Sequence, residues 1–298
     1  MKNNNLVIGG ILFLLFVLLT FVGPELPFVK KGMEGQRVIM GEGEIRTAPF
    51  PPSEEFLLGT DHEGRDLLSV IIVGARDTLQ LIVSITVIRY VVALILVLLS
   101  VKGKGPFHWL LQWWNQISSG LPIIFAAILF ISLPFFTFSD HRMLWAILIL
   151  ALIEVGRVGY IIQERTIRLS RSQFVEAGVT VGVSPIRLFI NYYIPNLLPQ
   201  IITNFCIDLG RVTLLLGQLG VFYIFVTQEF VQTGYGTGEL RNTSYNWATF
   251  LGESRGDMLT TFWIPLFPAL AITIVIFIFT ILGEGLRQYF DKKENAHL

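Results

Sequence analysis

Five charged side chains lie where the sequence surrounds them with apolar residues. Arg89, Glu154, Arg157, Asp208 and Arg211 all fall within, or at the inner end of, long hydrophobic runs. A charge that faces lipid there costs about 3 kcal/mol or more, so each must face protein or a water-filled path. Asp208 and Arg211 are three residues apart, one helical turn, and can pair on one face; Glu154 and Arg157 have the same spacing. Two readings stay open for these charges. They line a polar path or an interface with another membrane chain, or they are satisfied structural pairs.

Other chemistry is thinly represented. His62, His108, His141 and His297 are scattered, without HExxH or paired-ligand spacing, so a metal centre is not expected. The single cysteine, Cys206, excludes an internal disulfide and a thiolate cluster, and reads as a small packing residue in an apolar run. The glycines of "GVTVGVS" at 178–184 lack the lysine of a phosphate-binding GxxxxGK[ST] loop. No cofactor and no ATP hydrolysis are therefore expected of this chain. Lys plus Arg and Asp plus Glu each number 22, so no excess of positive charge points to nucleic acid.

The elements that must position these charges are membrane spans. The 298 residues are 53% hydrophobic and only 15% charged, with mean hydropathy +0.63, against roughly 25% charged in an average soluble domain. A spanning helix needs about 20 mostly apolar residues. Six runs qualify: Leu6–Gly23, Leu79–Val101, Ile117–Phe138, Met143–Ile162, Leu197–Val226 and Phe262–Gly283. The first is expected to be an uncleaved anchor, because Val22-Gly23-Pro24 is a poor signal-peptidase site. An even number of spans puts both termini on one side. Lys102 and Lys104, together with the four arginines of the 164–190 loop (Arg165, Arg168, Arg171, Arg187), favour the inside for the termini. The expected fold class is thus an all-α integral membrane protein with six transmembrane helices and cytoplasmic termini. Residues 1–78 form an anchor and outer segment, and 79–298 the transmembrane domain.

The connections carry their own signals. In "GTDHEGRDLLSVIIVGARDTL", Gly59, Gly64 and Gly74 are read as turns, and Asp66 as the cap of a short surface helix from Leu67. Trp109, Trp113 and Trp114 suit a headgroup-level aromatic belt. Residues 227–261 form a polar outer loop.

The stretch "QFVEAGVTVGVSPIRLFINYYIPNLLP", 173–199, is too polar to span a bilayer. Glu164 to Val181 reads as a helix, Gly182 as its left-handed C′ residue, Ser184 as a new cap and Pro185 as the first turn of a second helix. Pro195 and Pro199 mark re-entry. The result is an elbow below the membrane, either a docking element or a plain connection.

Glu176-Ala177, Gly182 six residues after the Glu, and Pro195 thirteen after the Gly resemble the EAA signature of bacterial ABC-importer permeases. The 59–79 block is similar to the Gly-Thr-Asp-x-x-Gly-Arg-Asp … Gly-Ala-Arg-x-Ser-Leu block of the C-type subunits of the dipeptide/oligopeptide/nickel branch, and the tail from Tyr245 to Lys293 resembles that family's end. These matches cover most of residues 56–293. There are departures: Gly178 stands for the second Ala, Thr78 for Ser, and Arg211 for an acidic residue.

The resemblance implies a type I ABC-importer permease fold in a bacterial inner membrane. It assigns the elbow, with Glu176, Ala177, Gly182, Ser184, Pro185 and Pro195, to coupling with cytoplasmic ATPases. It also implies a second permease subunit, two ATP-binding subunits and an extracytoplasmic solute-binding protein as partners, and import of peptides or a similar small solute. Arg89, Glu154, Asp208 and Arg211 are then candidates for the path or the subunit interface. The competing readings are an autonomous secondary transporter, which would want broken helices in matched halves, and a membrane scaffold.

Overall fold

The computed structural model describes residues 3–40, 45–100, 105–234 and 237–295, so Lys102, Lys104 and His297 lie outside the described residues. The helices are α1 (Asn4–Val22), α2 (Pro27–Gly32), α3 (Leu67–Ser100), α4 (Pro106–Gly120), α5 (Ile123–Ile131), α6 (Pro134–Thr137), α7 (Arg142–Ile153), α8 (Val155–Ser170), α9 (Gln173–Thr180), α10 (Pro185–Leu188), α11 (Ile194–Val221), α12 (Trp247–Glu253) and α13 (Trp263–Asn295). Two small antiparallel hairpins, β1 (Val38–Met40) with β2 (Ile45–Thr47) and β3 (Gln228–Gly234) with β4 (Thr237–Asn242), qualify the all-helical expectation.

Four stretches are long and apolar enough to cross a membrane: Asn4–Glu25, Leu67–Ser100, Arg142–Ser170 and Trp263–Lys293. A fifth is formed if α4 and α5, bent by 100° at Leu121-Pro122, count as one span. Two of the six expected runs therefore differ. Ile117–Phe138 is broken because Pro122 and Pro134 lack amide donors and each starts a new helix. Leu197–Val226 appears as α11, 28 residues long, but Gln200, Asn204, Asp208, Arg211 and Gln218 dilute its apolar character.

α1 and α13 meet through glycine. A Cβ on Gly9 would press on the backbone of Leu282, and one on Gly285 on the backbone of Leu6, so the small residues let the two helices approach closely. α11 packs on α13, α12 and α3. The main core joins Ile82 and Ile85 of α3, Leu150 of α7, Leu216 of α11 and Phe279 of α13. A second core lies towards the elbow and gathers Tyr90, Val97, Val158, Ile162, Leu188 and Leu197.

The glycine-rich block resolves differently from the turn reading in one respect. Gly59 (φ +79°) and Gly64 (φ +75°) do turn the chain. Gly74 instead lies inside α3, which runs unbroken from Leu67 through the span. A Cβ at Gly74 would collide with the carbonyl oxygen of Tyr245, so this glycine provides close approach to the segment before α12.

Candidate functional site

The buried charges converge into one network. Arg89 is fully buried on α3 and reaches across to the junction of α7 and α8. That junction is a one-residue break at Glu154 (φ −103°, ψ 6°). A break frees carbonyl groups at the end of α7, and in a membrane these need donors. Arg89 supplies them, with Nη2 donating to Leu150 O at 2.9 Å and Nε to Ala151 O at 3.4 Å. The Ser118 hydroxyl donates to Ile153 O at 2.7 Å. Arg89 Nη1 also lies 2.8 Å from Glu154 Oε2.

From Glu154 the network runs on to α11. Arg157 Nε donates to Glu154 Oε1 at 2.8 Å, and Arg157 Nη2 donates to Asp208 Oδ1 at 2.8 Å. The Tyr90 hydroxyl donates to Asp208 Oδ2 at 3.0 Å. Arg211 reaches Asp208 Oδ1 only at 3.4 Å, and its side chain is 54% exposed. The i,i+3 spacing thus predicted both pairs, but the tight partner of Asp208 is Arg157 on another helix, with Arg211 outermost. Three guanidinium groups face two carboxylates, so the network carries one surplus positive charge, and the exposed cation is Arg211. Tyr90 was not among the residues the sequence singled out. Its one signal is its place next to Arg89 in an otherwise apolar stretch of α3.

The second candidate site is the elbow. The expected single helix from Glu164 to Val181 is two: α8 stops at Ser170, and α9 starts at Gln173 after a break at Arg171-Ser172. Gly182 has φ +81°, its N–H donates to Val179 O at 2.9 Å, and the Val183 N–H donates to Gly178 O at 3.1 Å. These are the two bonds of a Schellman stop, with Gly182 in the left-handed position. Ser184 caps α10 by accepting from the Arg187 N–H at 3.4 Å, and Pro185 occupies its first turn. Pro195 sits in the first turn of α11. Glu176 and Ala177 are exposed, as are the apolar Val179, Val181 (83%) and Ile186 around the turn. Val175, Leu188, Phe189 and Tyr193 anchor the elbow's inner side in the second core, beside α3, α8 and α11.

The outer motif is a structural knot. Asp61 accepts from the Glu63 and Arg65 amides, both at 2.9 Å, and from Arg65 Nε at 2.7 Å. Burial alone would lower the Arg65 guanidinium, but the Asp61 carboxylate holds it above its ordinary value. Asp66 caps α3 through the Ser69 amide at 2.9 Å. Asp77 accepts from the Ser244 hydroxyl at 2.7 Å, and Thr78 Oγ1 from the Trp247 amide at 3.0 Å, tying α3 to the start of α12. Nearby, Glu253 stays exposed at its surface, yet the packing round its carboxyl raises it, with a hydrogen bond from Asn242 and the Arg65 charge opposing.

Known proteins resemble the chain along most of its length. Residues 90–295 match the family model "Binding-protein-dependent transport system inner membrane component". The chain is 28% identical over 237 residues to the oligopeptide transport system permease protein OppC of Haemophilus influenzae, covering 79% of this chain and 70% of that protein. To OppC of Escherichia coli K12 it is 27% identical over 250 residues, 84% and 76% of the two chains. A putative peptide transport system permease protein of Brucella abortus is 23% identical over 293 residues, 98% and 89%.

Proposed function

The chain belongs to the family of binding-protein-dependent transport system inner membrane components, and from that membership we propose that it is the permease subunit of a bacterial ATP-driven importer of peptides. It is a multi-pass inner-membrane protein. Its relatives are peptide-transport permeases. The observation that carries the reading further is the elbow: an apolar, exposed turn rooted in the same core as α3, α8 and α11. A push on that turn reaches the helices that hold the charge network.

In this reading the spans number six: α1, α3, the bent pair α4–α5, α7–α8, α11 and α13. α11 qualifies because Asp208 is turned inward onto Arg157 and Tyr90. Both termini are cytoplasmic. Glu176, Ala177, Gly182, Ser184, Pro185 and Pro195 form or frame the surface that docks an ATP-binding subunit. The partners are a second permease, two ATPases and an extracytoplasmic binding protein; hydrolysis occurs on the ATPases. The elbow biases a two-state arrangement of the spans according to nucleotide, as an allosteric coupling requires. Arg89, Glu154, Arg157 and Asp208 clamp α3, the α7–α8 junction and α11 together, and Arg211 faces the path.

The test is single-cysteine labelling in a Cys206→Ser background, with a membrane-impermeant maleimide, at exposed Met40 and Val181. Position 40 should label from outside intact cells and position 181 only in inverted vesicles. Labelling at 181 from outside would end the coupling role.

A further inference from the structure

We propose that Arg211 is an anion-recognising residue on the transport path, contacting a carboxylate of the peptide as it passes; this rests on the peptide-import reading above. Three observations converge on it. First, α11 is buried along nearly its whole upper half, yet one narrow stripe stays open, with Arg211 and Gln218 on it. The stripe continues downward at the same alternating spacing of three and four residues through Asn204 and Gln200, both half-buried. Ile207 and Leu214 lie between these polar positions, and Val221 follows the last of them. A helix face that met only lipid would have no use for four polar side chains.

Second, the lower part of the stripe opens into a cavity of about 360 Å³. Gln200 and Asn204 form one wall, and Arg165 and Arg287 stand on others, with Asp291 beside them. The stripe thus joins a polar, partly cationic cavity near the elbow to a cation further along the same helix.

Third, Arg211 is held but not neutralised. Its partner Asp208 already accepts from Arg157 at 2.8 Å and from Tyr90 at 3.0 Å, leaving Arg211 at 3.4 Å with the network's surplus charge. A guanidinium presents a planar fork that fits a carboxylate. The shared Asp208 also limits how tightly it binds a passing anion, and a site on a path must release what it binds.

The experiment uses the complete transporter, this chain co-purified with its ATPases, second permease and binding protein, in proteoliposomes. The probes are a tripeptide library with free C-terminal carboxylates and the same library as C-terminal amides. ATP-dependent uptake is read by mass spectrometry. The wild type should favour the free acids. Arg211→Gln should lower the acid-to-amide uptake ratio about tenfold, the scale of one charged hydrogen bond. Arg211→Lys, which keeps the charge, should restore much of the ratio. An unchanged ratio in Arg211→Gln with both libraries still taken up would overturn this inference alone. Loss of the second permease from the purified Arg211→Gln complex would also overturn it, assigning the cation to an acid on that subunit. Absence of ATP-dependent uptake of either library by the wild type would overturn the peptide reading as well.

Discussion

Replacing Asp208 by Asn removes one negative charge from a network that already carries a surplus positive one. The amide oxygen still accepts one hydrogen bond, so packing is retained and the loss is electrostatic. Arg157 loses the charge of its 2.8 Å partner but keeps Glu154 at 2.8 Å, which it already shares with Arg89. Breaking a buried pair by removing one partner costs about 3–5 kcal/mol. Because Arg157 is 22% exposed and keeps half its pairing, the expected cost for Asp208→Asn is about 2–3 kcal/mol, built from one charged hydrogen bond. Adding Arg157→Gln restores the original balance of charge. The double variant should therefore be more stable than Asp208→Asn alone, with a coupling energy of about 1–3 kcal/mol. Arg211→Gln, whose contact is long and exposed, should rescue by less than half as much. The assay is a double-mutant cycle on thermal unfolding of the chain in nanodiscs, with membrane abundance as a parallel readout. Additive effects in the Asp208/Arg157 cycle, or a larger rescue from Arg211→Gln, would refute the assignment of Arg157 as the principal partner.

Four further outcomes are expected. At Gly182 an added Cβ meets no atom within 4 Å, so Gly182→Val acts through φ +81° alone; ATPase co-purification and uptake should fall together, by about tenfold for a backbone cost of about 1–2 kcal/mol, with Gly182→Asn much milder and abundance normal in both. Glu176→Ala should weaken ATPase capture by about 1–3 kcal/mol if its exposed carboxylate makes a charged hydrogen bond there, read by the same pull-down. Gly74→Val should lower the amount of folded protein in the membrane, because its side chain would enter the Tyr245 carbonyl, whereas Gly105→Ala, where an added Cβ has open space, should cost only backbone strain. Glu253 has a raised folded-state pKa, so its stabilising contribution is present below the unfolded carboxyl pKa and lost as pH rises through the folded value. Because Glu253 is exposed, Glu253→Gln should raise the melting temperature at pH 7.5 only slightly, and the gain should vanish towards pH 4.

What the sequence determined by itself is local or periodic. Four of the apolar runs of span length, the Asp66 cap, and the Gly182–Ser184–Pro185 stop and restart all depend on residues within a few positions of one another, and each of these appears at its place. The elbow motif and its family resemblance were legible for the same reason. Spacing also brought Glu154 to Arg157 and Asp208 to Arg211, because three residues is one turn of any helix. Only the tertiary structure decided which pairing is tight. Arg157 lies 51 positions from Asp208 and Tyr90 lies 118 from it, and no periodicity in one helix reports how another is rotated against it. The same holds for Gly74, whose meaning comes from Tyr245 across the fold and not from its neighbours. The bend at Leu121-Pro122 and the break at Glu154 also needed the fold: a proline interrupts one amide bond, but the angle and the donors that satisfy the freed carbonyls come from the packed partners, Arg89 and Ser118 among them.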